Sequence, residues 1–249
     1  MRNTATTDAA TFSALEIRLD PAEVRRWLGY RRGRAPRPRV ARRLAELWDE
    51  ASGLLRPRGA FRVVAGERAA AGGVPRPTAL VGVGVCTVGN ALETEARRRG
   101  EAGEVLDALL FDAVGTAAAE AAADALNREL CAWAEPRGHY LAPRISPGYG
   151  RWDLGDQPAL LALLPAARLG IRLTDAMMLV PHKSVSFAVR FTSRPPRRER
   201  RGHCRRCGLV DCRYRRSPSD SSDLSDLSDL SDSSDSSDLS DSAPTLADH

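Results

Sequence analysis

Two stretches of this chain gather residue types that bind small charged molecules. Arg144-Ile145-Ser146-Pro147-Gly148-Tyr149 sets an arginine just ahead of a Gly-Tyr pair. A guanidinium is a planar fork that can hold a carboxylate through two parallel N–H donors. Glycine has no Cβ, so the backbone at Gly148 can come close to a ligand, with backbone groups near Ser146 and Gly148 free to bond its polar atoms. Tyr149 adds a ring face and a hydroxyl at the rim. Alone, such a loop is most often a surface arginine beside a turn. Roughly 25 residues on comes Leu173-Thr174-Asp175, followed by Pro181-His182-Lys183-Ser184-Val185-Ser186 leading into a strand. A third group is Cys204, Cys207 and Cys212. Its C-x₂-C spacing suits a metal chelate, with His203 or a partner residue as fourth ligand. The same thiolates suit an iron–sulfur cluster, and the surrounding arginines lower thiol pKa. Zinc and iron both remain open.

These residues need a scaffold, and the hydrophobic pattern supplies one. Leu15 to Leu19 alternates like a strand. Asp20-Pro21 reads as an N-cap and first turn of a helix through Val24 and Leu28. Val40, Leu44, Leu47 and Trp48 share one face of a second helix that ends near Gly53. Phe61–Ala65 reads as a short strand, and 79–88 as a strand buried on both faces, its glycines marking close backbone approach. Helices follow over 91–99 and 103–131, the longer one with an Ala-rich half that allows tight packing. Residues 135–155 are loop-like, 158–168 helical, and 171–174 and 184–191 are strands. Strands in separated runs, not in regular βα repeats, predict an α+β fold. The expectation is a single domain over 13–195, with a twisted, mostly antiparallel sheet flanked by helices.

Charge divides the rest. The 249 residues carry a net +5, with 36 Arg to one Lys. Residues 217–249 hold nine Asp and no Lys or Arg, so the preceding chain carries +14. The Ser-Asp-Leu repeats of that tail cannot bury enough apolar surface to order themselves and predict a disordered acidic tail. Residues 1–12 read as a disordered N-terminus, and 196–216 as an Arg/Cys-rich segment. No run is apolar enough to span a membrane, and the N-terminus lacks the apolar core of a secretory signal. Five cysteines without such a signal argue against a disulfide framework and for the cytoplasm. The basic segments 31–43 and 194–216 have almost no interleaved aromatics, which disfavours nucleic acid. They suit a solvated surface, an acidic partner, or the chain's own tail. His139 and His182 read as ordinary loop histidines, and Lys183 as a solvent-facing charge.

Taken together, R-x-x-x-G-Y at 144–149 and L-T-D…P-x-x-S-V-S at 173–186 resemble the S-adenosylmethionine-binding reactivation domain of cobalamin-dependent methionine synthase. The chain looks closest to short, free-standing members, which share an early helix like Glu23–Tyr30 and a C-x-x-C-x-x-x-x-C-x-Y-R ending like Cys204–Arg215. The resemblance implies that Arg144, Ser146, Gly148 and Tyr149 form the methyl-donor site, with Glu120 near the ammonium group. One feature departs from the family: no adjacent-tyrosine pair follows Ser186, where Phe187 stands.

The implied role is support in trans for reductive methylation of a corrinoid protein, or of a methionine synthase lacking its own final domain. S-adenosylmethionine would be bound here, cobalamin on the partner, and an electron would come from a flavodoxin or ferredoxin. The chain lacks the D-x-H-x-x-G cobalamin motif, so it is an activation component, not a complete methyltransferase. Two alternatives stand beside this: a corrinoid-protein-docking module that does not bind the donor, and a metal or iron–sulfur electron-transfer accessory protein.

Overall fold

A computed structural model describes residues 11–30 and 35–194. Five strands form one sheet in the order β1-β2-β3-β7-β4, every neighbouring pair antiparallel. They are β1 (Thr11–Ala14), β2 (Arg58–Ala65), β3 (Leu80–Thr87), β4 (Tyr140–Leu141) and β7 (Ser184–Thr192). The hairpin β5 (Arg172–Leu173) and β6 (Leu179–Val180) stands apart from it. Six helices accompany the strands: α1 (Pro21–Trp27), α2 (Pro38–Gly53), α3 (Gly66–Ala71), α4 (Ala91–Glu101), α5 (Val105–Ala134) and α6 (Gln157–Ala162). This is the α+β class that the separated strand runs predict.

The elements form for local reasons. Asp20 accepts a hydrogen bond from the Ala22 N–H at 2.7 Å and caps α1, with Pro21 in its first turn. α2 buries Leu44, Leu47 and Ala51 on one stripe. β3 is buried along its whole length, as its unbroken apolar run requires. Its two faces serve two cores. Val81, Val83 and Val85 pack with Trp152, Leu160 and the turns around α6. Cys86 points the other way, toward α5, in the core that holds Leu110, Leu126 and Phe187. Gly82 and Gly84 share the side of Cys86, and their missing side chains are replaced by neighbours. A Cβ at Gly82 would lie 2.4 Å from Leu130, and one at Gly84 2.6 Å from the Phe187 ring. Gly84 pairs directly with Phe187 across the strands, so the ring covers the glycine. The alanines of α5 (Ala118, Ala122 and Ala123 are fully buried) complete this close fit of small surfaces.

Some boundaries differ from the sequence expectation. The first strand is Thr11–Ala14, not 15–19, so residues 11 and 12 pair with β2 instead of extending an unstructured N-terminus. β2's cross-strand hydrogen bonds choose that register, while Leu15 turns inward as a core residue. The helix expected over 158–168 breaks into α6 and a single 3₁₀ turn, Ala166–Leu169, with Pro165 between them. α3 and β4 carry no periodic signal of their own. The N-terminal segment 1–10, the Arg/Cys-rich segment 196–216 and the acidic tail 217–249 lie outside the described residues. Among the described residues, no helix is long and apolar enough to cross a membrane.

Candidate functional site

α5 is wrapped by the sheet and by α1, α2 and α4. Asp112, Thr116, Glu120 and Asp124 recur every four residues along it, so they form one stripe. Asp112 and Asp124 are exposed, and Thr116 and Glu120 half-buried. Two bases from the far end of the chain lie against this stripe. Lys183, at the entry to β7, donates to Asp112 Oδ1 at 2.7 Å and to the Thr116 hydroxyl at 2.8 Å. Arg144 donates from Nη2 to Asp124 Oδ1 at 2.5 Å and lies 3.6 Å from Glu120 Oε2. Lys183 is thus not the solvent-facing charge its turn suggests, since only 14% of its side chain is exposed.

Arg144 is held from behind. Ile145 forms a two-way backbone bridge with Ala188 of β7, at 2.9 and 2.8 Å. That bridge brings the R-x-x-x-G-Y stretch against the P-x-x-S-V-S strand. The guanidinium then lies 5.4 Å from the Phe187 ring centroid, where a cation is attracted to the ring face. The Arg144 side chain is 17% exposed. Beneath it, Cys86 is fully buried, and burial pushes its thiol up to about 12, against the opposing pull of the Arg144 charge. It packs as a small hydrophobe and is no nucleophile.

The loop beyond Arg144 is a compact turn. The Tyr149 N–H donates to the Ser146 carbonyl at 3.2 Å, and the Gly148 N–H to the Trp152 carbonyl at 2.9 Å. The Gly148 amide is therefore committed inside the turn, while the Ser146 carbonyl keeps a second lone pair. Gly148 has φ +85°, a left-handed conformation that explains the glycine directly. A Cβ there would meet only Leu154, at 3.4 Å. Tyr149 stands at the loop tip, 64% exposed.

The L-T-D turn is built the same way. Thr174 exchanges backbone bonds with Met177 and Met178, and its hydroxyl accepts the Met178 N–H at 3.1 Å. Gln157, unmarked by any sequence pattern, ties the pieces together. Its Nε2 donates to the Met177 carbonyl at 3.1 Å, and its Oε1 accepts from the Ser186 hydroxyl at 3.3 Å. Ser184 donates to the Pro181 carbonyl at 2.6 Å and lies 2.9 Å from the Thr87 hydroxyl. So Ser184 and Ser186 of the S-V-S motif bind other parts of the fold. His182 pairs with Glu93, its Nδ1 2.8 Å from the carboxylate, and His139 meets Phe191 edge-on.

Arg144, Glu120 and the Ser146–Tyr149 loop thus sit at one place on the surface, joined by an unforeseen Asp124. Two grooves lie elsewhere, of about 400 Å³ beside Leu15, Trp48 and Ser52 and about 600 Å³ beside Ala65 and Pro77. Neither brings opposite charges together, so the charged stripe is the better candidate. Cys204, Cys207 and Cys212 lie outside the described residues, among which no group of His, Cys, Asp and Glu could hold a metal ion.

The fold and stripe define an α+β domain with an acid–base strip along a central helix. No family model matches the chain, and no curated protein does. Among solved structures it is similar to one described as the MetH reactivation domain bound to AdoHcy. The likeness has a TM-score of 0.50 at 15% identity, over 73% of this chain and 78% of that one. It is a likeness of fold.

Proposed function

We propose that this protein binds S-adenosylmethionine where Arg144 meets the Glu120–Asp124 end of the α5 stripe and acts in trans on a corrinoid protein. The observation that carries the reading is the meeting of Arg144 with Glu120 and Asp124 beside the loop that ends in Tyr149. An α-amino acid head carries its carboxylate and its ammonium on the same carbon. An arginine and a carboxylate in contact are its complement in charge and spacing. The donor set therefore suits the group, and a neighbour of similar fold is described as bound to AdoHcy.

When bound, S-adenosylmethionine supplies a methyl group on a sulfonium, already a good leaving group. The residues here then need to position and not to transfer protons. Arg144, braced by Phe187 and the Ile145–Ala188 bridge, would grip the carboxylate. Glu120 would face the ammonium, and Tyr149 would offer its ring at the rim. In this reading cobalamin resides on the partner, and a flavodoxin or ferredoxin supplies the electron. An iron–sulfur cluster at Cys204, Cys207 and Cys212 would serve the same delivery, whereas a zinc ion there, which has no redox chemistry, would only brace the segment.

Calorimetry with S-adenosylmethionine and S-adenosylhomocysteine tests the reading. The expected result is saturable heat that Arg144→Ala abolishes and Arg144→Lys only partly restores, because an ammonium keeps the charge and loses the fork. No heat from the wild-type protein refutes it and favours the docking module.

A further inference from the structure

We propose that Asp124 is an internal competitor for the Arg144 fork, an affinity-setting residue whose carboxylate contends with that of a ligand. The inference rests on the donor-site reading above and adds to it a residue that no sequence motif marks.

The argument begins with guanidinium geometry. A two-pronged grip on a carboxylate uses either the Nε–Nη2 edge or the Nη1–Nη2 edge. Both edges include Nη2, and Nη2 is the nitrogen that Asp124 holds at 2.5 Å. Nη2 has two N–H groups, one on each edge, so Asp124 occupies one edge outright and its negative charge disfavours a second carboxylate on the other. Glu120 stands farther off, 3.6 Å from the same nitrogen, and does not hydrogen-bond it.

Arg144 cannot evade this by swinging aside. Its backbone is fixed by the Ile145 bridge, its head lies over Phe187, and its side chain is mostly covered. Asp124 can move. It sits on the open stripe of α5 with 53% of its side chain exposed, and among the described residues no other hydrogen bond of its carboxylate holds it there. Arg43 and Asp107 make the contrast within this molecule. There the fork is engaged at both prongs, Nε at 2.8 Å and Nη2 at 2.5 Å, on a carboxylate that is 8% exposed. That pair is built to stay. The Arg144–Asp124 pair is one-pronged and exposed, so it is worth little and yields readily.

The size of the effect follows. An exposed pair contributes about 0.4–1 kcal/mol, which converts to a two- to five-fold change in Kd at about 1.4 kcal/mol per decade. Asp124→Asn and Asp124→Ala should bind S-adenosylhomocysteine and S-adenosylmethionine about two- to five-fold more tightly than wild type. Asp124→Glu, which keeps a carboxylate in reach, should stay near wild type. The gain should be equal for both ligands. A mere loss of negative field would instead penalise the cationic sulfonium relative to the neutral thioether. Asp112→Asn, three helical turns away on the same stripe, should leave both affinities unchanged.

Calorimetric titration of the full chain reads these outcomes, with thermal unfolding of each ligand-free variant to verify folding. If wild type binds and Asp124→Asn binds equally or more weakly, Asp124 is not a competitor and the inference falls alone. Weaker binding would make it a direct partner of the ammonium group. If wild type gives no heat at all, the donor-site reading fails and takes the inference with it.

Discussion

Lys183 reaches Asp112 across the backbone of Gly115, where a Cβ would sit 3.1 Å from its Cγ and 2.7 Å from Leu92 Cδ2. Gly115 lies one turn from Asp112 on α5, in the middle of a 30-residue helix. Glycine is a poor residue for a helix interior, costing about 1 kcal/mol against alanine. Here it opens the notch through which the P-x-x-S-V-S turn docks on the helix. The backbone supports the same docking: the Val88 N–H donates to the Lys183 carbonyl at 3.1 Å.

Gly115→Ala should therefore destabilise the protein despite its better helix propensity. Leu92 is fully buried and cannot retreat without disturbing the core. Overpacking of this kind costs about 1–3 kcal/mol, against a propensity gain of about 1 kcal/mol. A net loss near 1 kcal/mol is expected in chemical denaturation. Gly100→Ala on α4 is the matched control. Its Cβ would meet only Ala108, at 3.8 Å. That substitution should stabilise by about 0.5 kcal/mol. Equal signs for the two variants would refute the notch.

Asp107 gives a pH dependence. It is buried where α5 begins, with Arg43 Nε and Nη2 on its two oxygens and Arg99 Nη1 at 3.0 Å. Hydrogen bonds from Arg43, ahead of the opposing effect of burial, hold its carboxyl below the usual carboxylate range. A pKa depressed by folding contributes stability that is present above the unfolded value, near 3.9, and is lost as pH falls through the folded one. Asp107→Asn should cost about 1–3 kcal/mol at pH 7, moderated by solvent around Arg43 and Glu50. The gap between variant and wild type should close as pH drops below about 4. Melting curves from pH 7 to pH 2.5 measure it. A gap that stays constant would show that packing around Asp107, and not its charge, is what matters.

The same cluster shows where sequence reasoning stopped. The separated strand runs and the long Ala-rich helix that is α5 were readable, because each is a local pattern. The R-x-x-x-G-Y and P-x-x-S-V-S motifs were readable as motifs, and the Ile145–Ala188 bridge brings them side by side. What local pattern could not carry was the choice of partner. Arg43 sits in a basic stretch that suited a solvated surface, an acidic partner or the chain's own tail, yet its fork is closed on Asp107, 64 residues away. No sequence motif marks Asp124, and only the return of the chain after α5 brings Arg144 onto it. β1 was misplaced because strand register is decided by the neighbouring strand, and alternation over 15–19 says nothing of that neighbour.

Gln157 is the residue whose loss should separate the candidate site from the fold. It is buried at 6% exposure in the first turn of α6, and its amide uses both ends. One end holds the Met177 carbonyl and the other the Ser186 hydroxyl, so it ties the L-T-D turn to β7. Gln157→Leu keeps the volume and removes both bonds, leaving a buried serine hydroxyl and a backbone carbonyl without that partner. Each orphaned group costs about 1–3 kcal/mol, and the leucine's apolar contacts recover part of it. A net loss of about 2 kcal/mol is expected. The local effect is more telling. Amides of 174–178 should exchange with solvent markedly faster in the variant, while those of β2 and β3 change only by the global loss. Hydrogen exchange read by mass spectrometry tests this. Uniform acceleration across the sheet would mean that Gln157 supports the core as a whole and does not fasten one turn to one strand.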